Sequence, residues 1–417
     1  MNHERSGEYF AQAQRVLVGG VNSPNRDYAA VGGLPVYVVS GVGPNLVDVD
    51  GNNLLDYMCG NGSQIVGHAH PEIVSTLKLA ATRGLGLGTN SRVEIKLAAK
   101  IVELMPALEK VRFVNSGSEA TMSAIRLARA ATGRPAIIRF IGSDHGHSDM
   151  LLSTADGAGV TAGAADDTLT AQYNDLDGAA QHFADQSGRI AAVIVEPVTG
   201  GMGVVPARKE FLLGLRELCS QHGALLIFDE VRSGFRVDRG GAQELFGIKP
   251  DLTCLGRIIG GGLPVGAIGG PAHLLDQLAP LGSVCLGESA AGNALVMVAG
   301  LATLDLLTDD LYVALEERSA DLTVGLRQAA AAKKIPVQIN RVGSMLSLFF
   351  CDEPINDWND AQQADTHKYA IFFRAMLEAG IHLPPSPWEP WYVSGAHTSE
   401  NIERTVGVAE KAFKKTK

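Results

Sequence analysis

Apolar positions along the chain follow two alternating rhythms. Short, continuously apolar runs at 111–114, 136–141, 190–195 and 225–228 predict strands, and segments with apolar residues three and four apart lie among them. The segment 211–222 places Phe211, Leu212, Leu215, Leu218 and Cys219 on one helical face and stops at Gly223. Helices are likewise predicted over 71–83 and 92–104. Strands apolar at every position, rather than at every second one, are covered on both faces, as in a parallel sheet between two helical layers. The pattern therefore predicts a doubly wound, mostly parallel α/β core.

The flanks read differently. A helix over 4–18 closes at Gly19-Gly20, a turn-rich stretch carrying Ser23 and Arg26 follows, and 36–39 and 45–49 form paired strands with Asp50-Gly51 as a hairpin signal. This is an N-terminal arm, 1–64. A large domain, 65–307, ends with a helix over 290–307. A smaller α+β C-terminal domain, 308–417, holds a helix over 310–333, strands within 342–350 and helices over 365–379 and 399–414. Residues 154–171 are nearly all Ala, Gly, Thr and Asp without periodicity and are read as a loop, either a lid or a plain surface segment.

Composition narrows the function classes. The net charge of −10 on 417 residues, with no basic run, argues against a nucleic-acid partner. No apolar run approaches a membrane-spanning length, and the N-terminus lacks a secretion pattern. The five cysteines are scattered, without CxxC or Cys/His spacing, as expected of reduced thiols in a cytoplasmic protein.

Four stretches carry candidate chemistry. In 115–120, Asn-Ser-Gly-Ser-Glu-Ala, a strand ends and a helix begins after a glycine turn, so free N–H groups and the hydroxyls of Ser116 and Ser118 converge at the positive end of a helix dipole. That suits a phosphate; the same residues also serve as ordinary helix caps. Asp229 ends a buried strand, where open α/β sheets bind ligands, and can hold a protonated ring nitrogen or cap the next segment. Asp144, His145 and His147 follow the strand 136–141; no metal site is expected from them, although they could hold one if they converged. Arg257 stands among apolar residues and glycines in 250–270, and a cation there has to meet a carboxylate, another anion or a π system.

Together these motifs resemble one family. NSGSEATMSAIRLAR, HGH after a strand, IVEPV, LLIFDEVRSGFR and PDLTCLGRIIGGGLPVGAIGG occur in the order and spacing of the class III aminotransferases. GGVNSPNR, LVDVDGNNLLDY, GHAHPEIV and AHTSENIERT place the chain beside the family's aminomutase branch. The resemblance spans essentially the whole chain and implies the fold type I architecture of pyridoxal-phosphate enzymes, an obligate homodimer, and an amino or keto acid substrate. It implies that Ser116, Gly117 and Ser118 cup the phosphate of pyridoxal or pyridoxamine 5′-phosphate, that Asp229 pairs with the pyridine nitrogen and that Val231 covers a ring face. Ser289 falls where the family has a threonine reaching the phosphate from the second subunit. Arg26, with Ser23 near it, falls on a substrate-carboxylate position, and Glu389 near the reacting amino groups.

The departures from the family fall on the chemistry. Arg257 stands at the position of the lysine that tethers the cofactor, and a guanidinium is neither a Schiff-base nucleophile nor a ready general base. Asp144 replaces a ring-stacking aromatic residue, Gly60-Asn61-Gly62 replaces Ser-Trp-Gly, and Arg232-Ser233 replaces a Met-Thr type pair. The expectation is a divergent enzyme with a noncovalently held cofactor, with Asp144 or His145 as acid or base, Arg232 toward substrate, and Asp144 paired with Arg257 or Arg232. The alternatives are cofactor-independent chemistry on an anionic substrate, with both arginines as the anion receptor, or a catalytically dead homologue.

Overall fold

The computed structural model describes residues 1–153 and 157–417. Its centre is a seven-stranded sheet built from β4 (Lys110–Val114), β5 (Ala136–Phe140), β6 (Thr168–Ala171), β7 (Ile190–Val195), β8 (Leu225–Glu230), β9 (Leu252–Gly256) and β10 (Gly266–Gly270). The spatial order is β4-β10-β9-β8-β7-β5-β6, and β10 alone runs antiparallel to its neighbours. Preceding these, β1 (Val38–Val42), β2 (Asn45–Asp48) and β3 (Asn53–Asp56) form an antiparallel meander. After them come β11 (Gln338–Val342), β12 (Met345–Phe349), β13 (Ile381–His382) and β14 (Trp391–Tyr392). β11, β12 and β14 make a small antiparallel sheet, whereas β13 joins the meander, parallel to β3.

The unbroken apolar strands are explained by two cores. Ile138, Phe140, Val193, Val195, Leu226 and Phe228 point into one cluster with Phe211, Leu212 and Leu215. Their neighbours Ile137, Ala192, Ile194 and Ile227 point the other way, onto Ala120, Ala124, Ile125 and Leu127. Since successive strand residues face opposite sides, both faces must be apolar. Helix Lys209–His222 covers one face and helix Gly117–Thr132 the other.

The structure corrects several boundaries. The first helix is shorter, Glu4–Ala13, and the first strand lies later, at Val38–Val42. Asp50-Gly51, the hairpin signal, turns between β2 and β3. Of the segment read as a loop, 154–156 lie outside the described residues; the remainder contains a short helix, Ala162–Asp166, and the edge strand β6. An edge strand is held by backbone pairing along one side, so a run as short as Thr-Leu-Thr-Ala suffices for it.

The short 3₁₀ turn Arg257–Gly260 that follows β9 rests on helix Ala294–Asp305. Contact is close: a Cβ on Gly300 would come 2.0 Å from the carbonyl oxygen of Ile259. Gly300→Ala should therefore cost about 1–3 kcal/mol, since backbone must move to admit the methyl. Gly407→Ala, in helix Ser399–Lys415 with open space around it, should stabilise by about 0.5–1 kcal/mol. Urea denaturation of the two variants beside the parent checks both signs.

Candidate active site

Five segments leave the sheet at the same edge. Asn115–Ser118 follow β4, Asp144 and His145 follow β5, Glu196 follows β7, Asp229 lies near the end of β8, and Arg257 follows β9. They line one cavity of about 350 Å³ with Gly60, Ser63, Thr121, Val231, Arg232 and Leu263. Chain direction makes this convergence unavoidable, because parallel strands present all their C-terminal ends on one side.

At one wall, Ser116 caps helix Gly117–Thr132, its hydroxyl accepting the Glu119 N–H at 3.1 Å. Gly117 and Ser118, the first residues of sixteen of helix, line the cavity at its positive end. Close approach is needed on every side. A Cβ on Gly117 would meet Val231 Cγ1 at 2.6 Å, one on Gly146 would meet Ser118 Oγ at 2.2 Å, and one on Gly266 would meet the Ser116 carbonyl at 2.0 Å. Thr121 Oγ1 donates to the His145 carbonyl at 2.6 Å, fastening the segment after β5 to this helix.

Asp229 is buried, and its Oδ2 accepts from His145 Nδ1 at 2.7 Å while Oδ1 accepts the Val231 N–H at 3.1 Å. This contact places the Nδ1 proton toward the carboxylate, and the His145 Nε2 is buried without a partner. His145 is thus spoken for by Asp229, and among the described residues no three His, Cys, Asp or Glu side chains converge as a metal site would require.

The opposite wall carries charge. Arg232 Nη2 donates to Asp144 Oδ2 at 2.7 Å, and Arg232 Nη1 lies 3.7 Å from Glu196 Oε1 with no hydrogen-bond acceptor. Burial alone would lower the Arg232 pKa, but the Asp144 and Glu196 carboxyls raise it. Burial likewise pushes Asp144 up, and the Arg232 guanidinium outweighs it, holding Asp144 below the usual carboxylate range. Glu196 is different: burial, aided by Asp229 and Asp144 and opposed by Arg232, lifts its carboxyl to about 8. Its two oxygens accept the Asp144 and Gly200 N–H groups at 3.1 and 3.2 Å.

Arg257 adopts a left-handed backbone, φ 47°, at a position where most residues avoid it. Its Nη1 donates to the Asn61 carbonyl at 3.0 Å, and its Nε is buried without an acceptor. Burial and the like charge of Arg232 both pull its pKa down. The Asn61 segment is itself strained: Cys59, Gly60, Asn61 and Gly62 all have positive φ. Buried Arg236 clamps its far end, donating from Nη2 to the Gly62 carbonyl at 2.6 Å, with its guanidinium 5.3 Å from the Tyr392 ring centre.

The remaining predicted residues lie outside this cavity. Ser23, Arg26 and Glu389 line an adjoining cavity of about 370 Å³, which shares Gly60 with the first. There Asn25 donates to Glu389 at 3.1 Å. Buried Asp56 accepts from His68 and His382 at 2.7 and 2.9 Å. Ser289 is exposed, beside Glu288, which accepts from Asn115 at 3.3 Å. Lys209 and Lys249 are exposed, and the first cavity has no lysine in its wall. Sequence reading gave no role to Glu196 or Arg236, although both fall within quoted motifs, nor to the Asn61 carbonyl, since a backbone acceptor leaves no mark on residue identity.

This sheet, with its cup at a helix N-terminus and its carboxylate at the end of β8, defines a class of protein. The family model of Aminotransferase class-III matches residues 28–387, and the chain belongs to that enzyme family. More particularly, it is 52% identical to a glutamate-1-semialdehyde 2,1-aminomutase from Thermomicrobium roseum over 99% of each chain. Its structure matches that of an omega-transaminase from Sphaerobacter thermophilus with a TM-score of 0.94 and 30% identity, over 100% of both chains. A transaminase with PLP bound matches at TM-score 0.91 and 30% identity, over 100% of this chain and 98% of that one. The architecture is thus that of the fold type I pyridoxal-phosphate enzymes.

Glu196 supplies a pH test. Its carboxyl keeps a proton to about pH 8 in the fold against an ordinary value of 4.5, so this contribution to stability is complete below pH 4.5 and is lost as the pH rises toward 8. Between pH 5 and 8 the parent should lose on the order of 2 kcal/mol more stability than Glu196→Gln. Parallel pH curves for the two proteins, by urea midpoint, would remove Glu196 as the cause.

Proposed function

We propose that this chain holds pyridoxal or pyridoxamine 5′-phosphate noncovalently in the first cavity and acts on an amino or keto acid, in the manner of a class III aminotransferase or aminomutase. The observation that carries the reading is the pairing of a helix N-terminal cup with a buried Asp229, whose carboxylate has only His145 and the Val231 N–H as partners. A pyridine N–H is a third donor that such a carboxylate can accept. The residues present fit the group: glycines at 117, 146 and 266 keep the cup free of side chains, and Val231 packs beside it.

In this reading Ser116, Gly117 and Ser118 hold the phosphate, Asp229 fixes the ring nitrogen, and His145 keeps Asp229 oriented. When bound, the protonated pyridine ring supplies an electron sink for bond cleavage at the substrate carbon. Arg257 stays protonated, so it neither tethers the group nor accepts a proton. Asp144, locked on Arg232, is a weak base; Glu196, which retains its proton to about pH 8, is the acid in the wall at neutral pH. Pyridoxamine phosphate is favoured because it is bound through its ring and phosphate alone. The relatives' name makes glutamate-1-semialdehyde the first substrate to try.

The same reading includes a homodimer. Val18, Leu281 and Ile95 are apolar side chains left 95%, 72% and 71% exposed, of the kind a second copy would cover. Exposed Ser289 lies on the segment that also meets Asn115 through Glu288.

Calorimetry should show pyridoxamine phosphate binding to the purified protein, with Asp229→Asn weaker by about tenfold or more, the loss expected for a charge-assisted hydrogen bond. After excess pyridoxal phosphate is removed by gel filtration, borohydride treatment should leave the chain mass unchanged, whereas Arg257→Lys should gain one phosphopyridoxyl group. A protein that takes up neither compound sinks the proposal and favours cofactor-independent chemistry on an anion.

A further inference from the structure

We propose that Arg257 and Arg232 form a carboxylate-receiving subsite in the wall of the first cavity, which seats the carboxylate of the amino or keto acid. The reading rests on the function proposed above only for the identity of the acid. The donors themselves are observed.

Arg257 has five N–H donors, yet among the described residues its one hydrogen bond is from Nη1 to a backbone carbonyl, that of Asn61. Its Nε is buried without an acceptor, and among the described residues no carboxylate lies within ion-pair distance of it. Arg232 repeats the pattern. Nη2 is paired with Asp144, but Nη1 is buried, 3.7 Å from Glu196 and without a hydrogen-bond acceptor. Glu196 spends its oxygens on the Asp144 and Gly200 N–H groups and stands 3.7 Å off, so it offsets this charge without filling the donor. Asp229 is engaged by His145 and Val231.

Two guanidiniums near enough to repel each other thus have a single carboxylate hydrogen bond between them, from Arg232 to half-exposed Asp144, with Glu196 farther off at 3.7 Å. Buried donors and like charges left in this state cost free energy that an incoming anion relieves. A carboxylate fits because its two oxygens match the planar fork of a guanidinium, where an ammonium would present only a point charge. The phosphate cup is built from a different set of groups, the backbone N–H groups and hydroxyls of 116–118. The cavity thus offers two separate anion receivers, one for a phosphate and one for a carboxylate. The bland account is that Arg257 merely props the strained 60–62 segment through Asn61.

Succinate, which has no amino or carbonyl group to react, is the probe. It is titrated by calorimetry into the purified protein with and without pyridoxamine phosphate. Arg257→Met and Arg232→Met should each weaken succinate by about tenfold or more, while affinity for pyridoxamine phosphate changes far less. Arg257→Gln keeps a donor for the Asn61 carbonyl, so a comparable loss there shows that the charge and fork matter, and a parent-like affinity overturns the subsite. Succinate binding that ignores Arg257 and falls only in Arg26→Ala overturns it as well, as does inorganic phosphate displacing succinate with the same dependence on Arg257. Failure of pyridoxamine phosphate to bind, with succinate still lost in both arginine variants, would remove the cofactor reading and leave the subsite standing.

Discussion

The contact between His145 and Asp229 organises the site. It ties the segment leaving β5 to the end of β8, two strands separated in the sheet by β7, and it does so in a place nearly closed to water. Around it every other group falls into position. Thr121 binds the His145 carbonyl and so locks the start of helix Gly117–Thr132 to the same segment, and Asp144, one residue earlier, is delivered to Arg232. A short contact at the centre sets the geometry of both walls.

The two walls solve different electrostatic problems. The cup presents backbone N–H groups, whose partial charges are fixed by the helix and need no counter-ion. The other wall uses full charges, and these are unevenly matched: Asp144 is hydrogen-bonded to Arg232, Glu196 stands 3.7 Å from it, and Arg257 has a carbonyl for its partner. Backbone strain accompanies this wall, since Arg257 and residues 59–62 all occupy the left-handed region. Strain and uncompensated charge gathered at one place mark a surface shaped for something other than stability.

Much of this was legible in the chain. The strands 190–195 and 225–228 announced a two-faced sheet because no other environment tolerates such runs, and the strand–glycine–helix passage at 115–120 announced a cup. Legibility stopped where the backbone or long-range packing decided matters. β6 was missed because Thr168–Ala171 is only four residues long, at the end of a stretch of Ala, Gly, Thr and Asp, and is held by pairing with β5. The acceptor for Arg257 is a carbonyl, and the division of Arg26 and Glu389 from Asp229 into two adjoining cavities depends on the fold of 59–62.

The strand β13 has a consequence for the order in which the molecule can be completed. Every group of the cup and of the charged wall is present once the chain has been made as far as β10, whereas the second cavity needs His382, Pro385 and Glu389, brought there by two residues that pair with β3. During synthesis from the N-terminus, domain-sized pieces fold as they emerge. On the ribosome the residues of the first cavity can therefore be gathered while its neighbour still lacks a wall, which waits for the last tenth of the polypeptide.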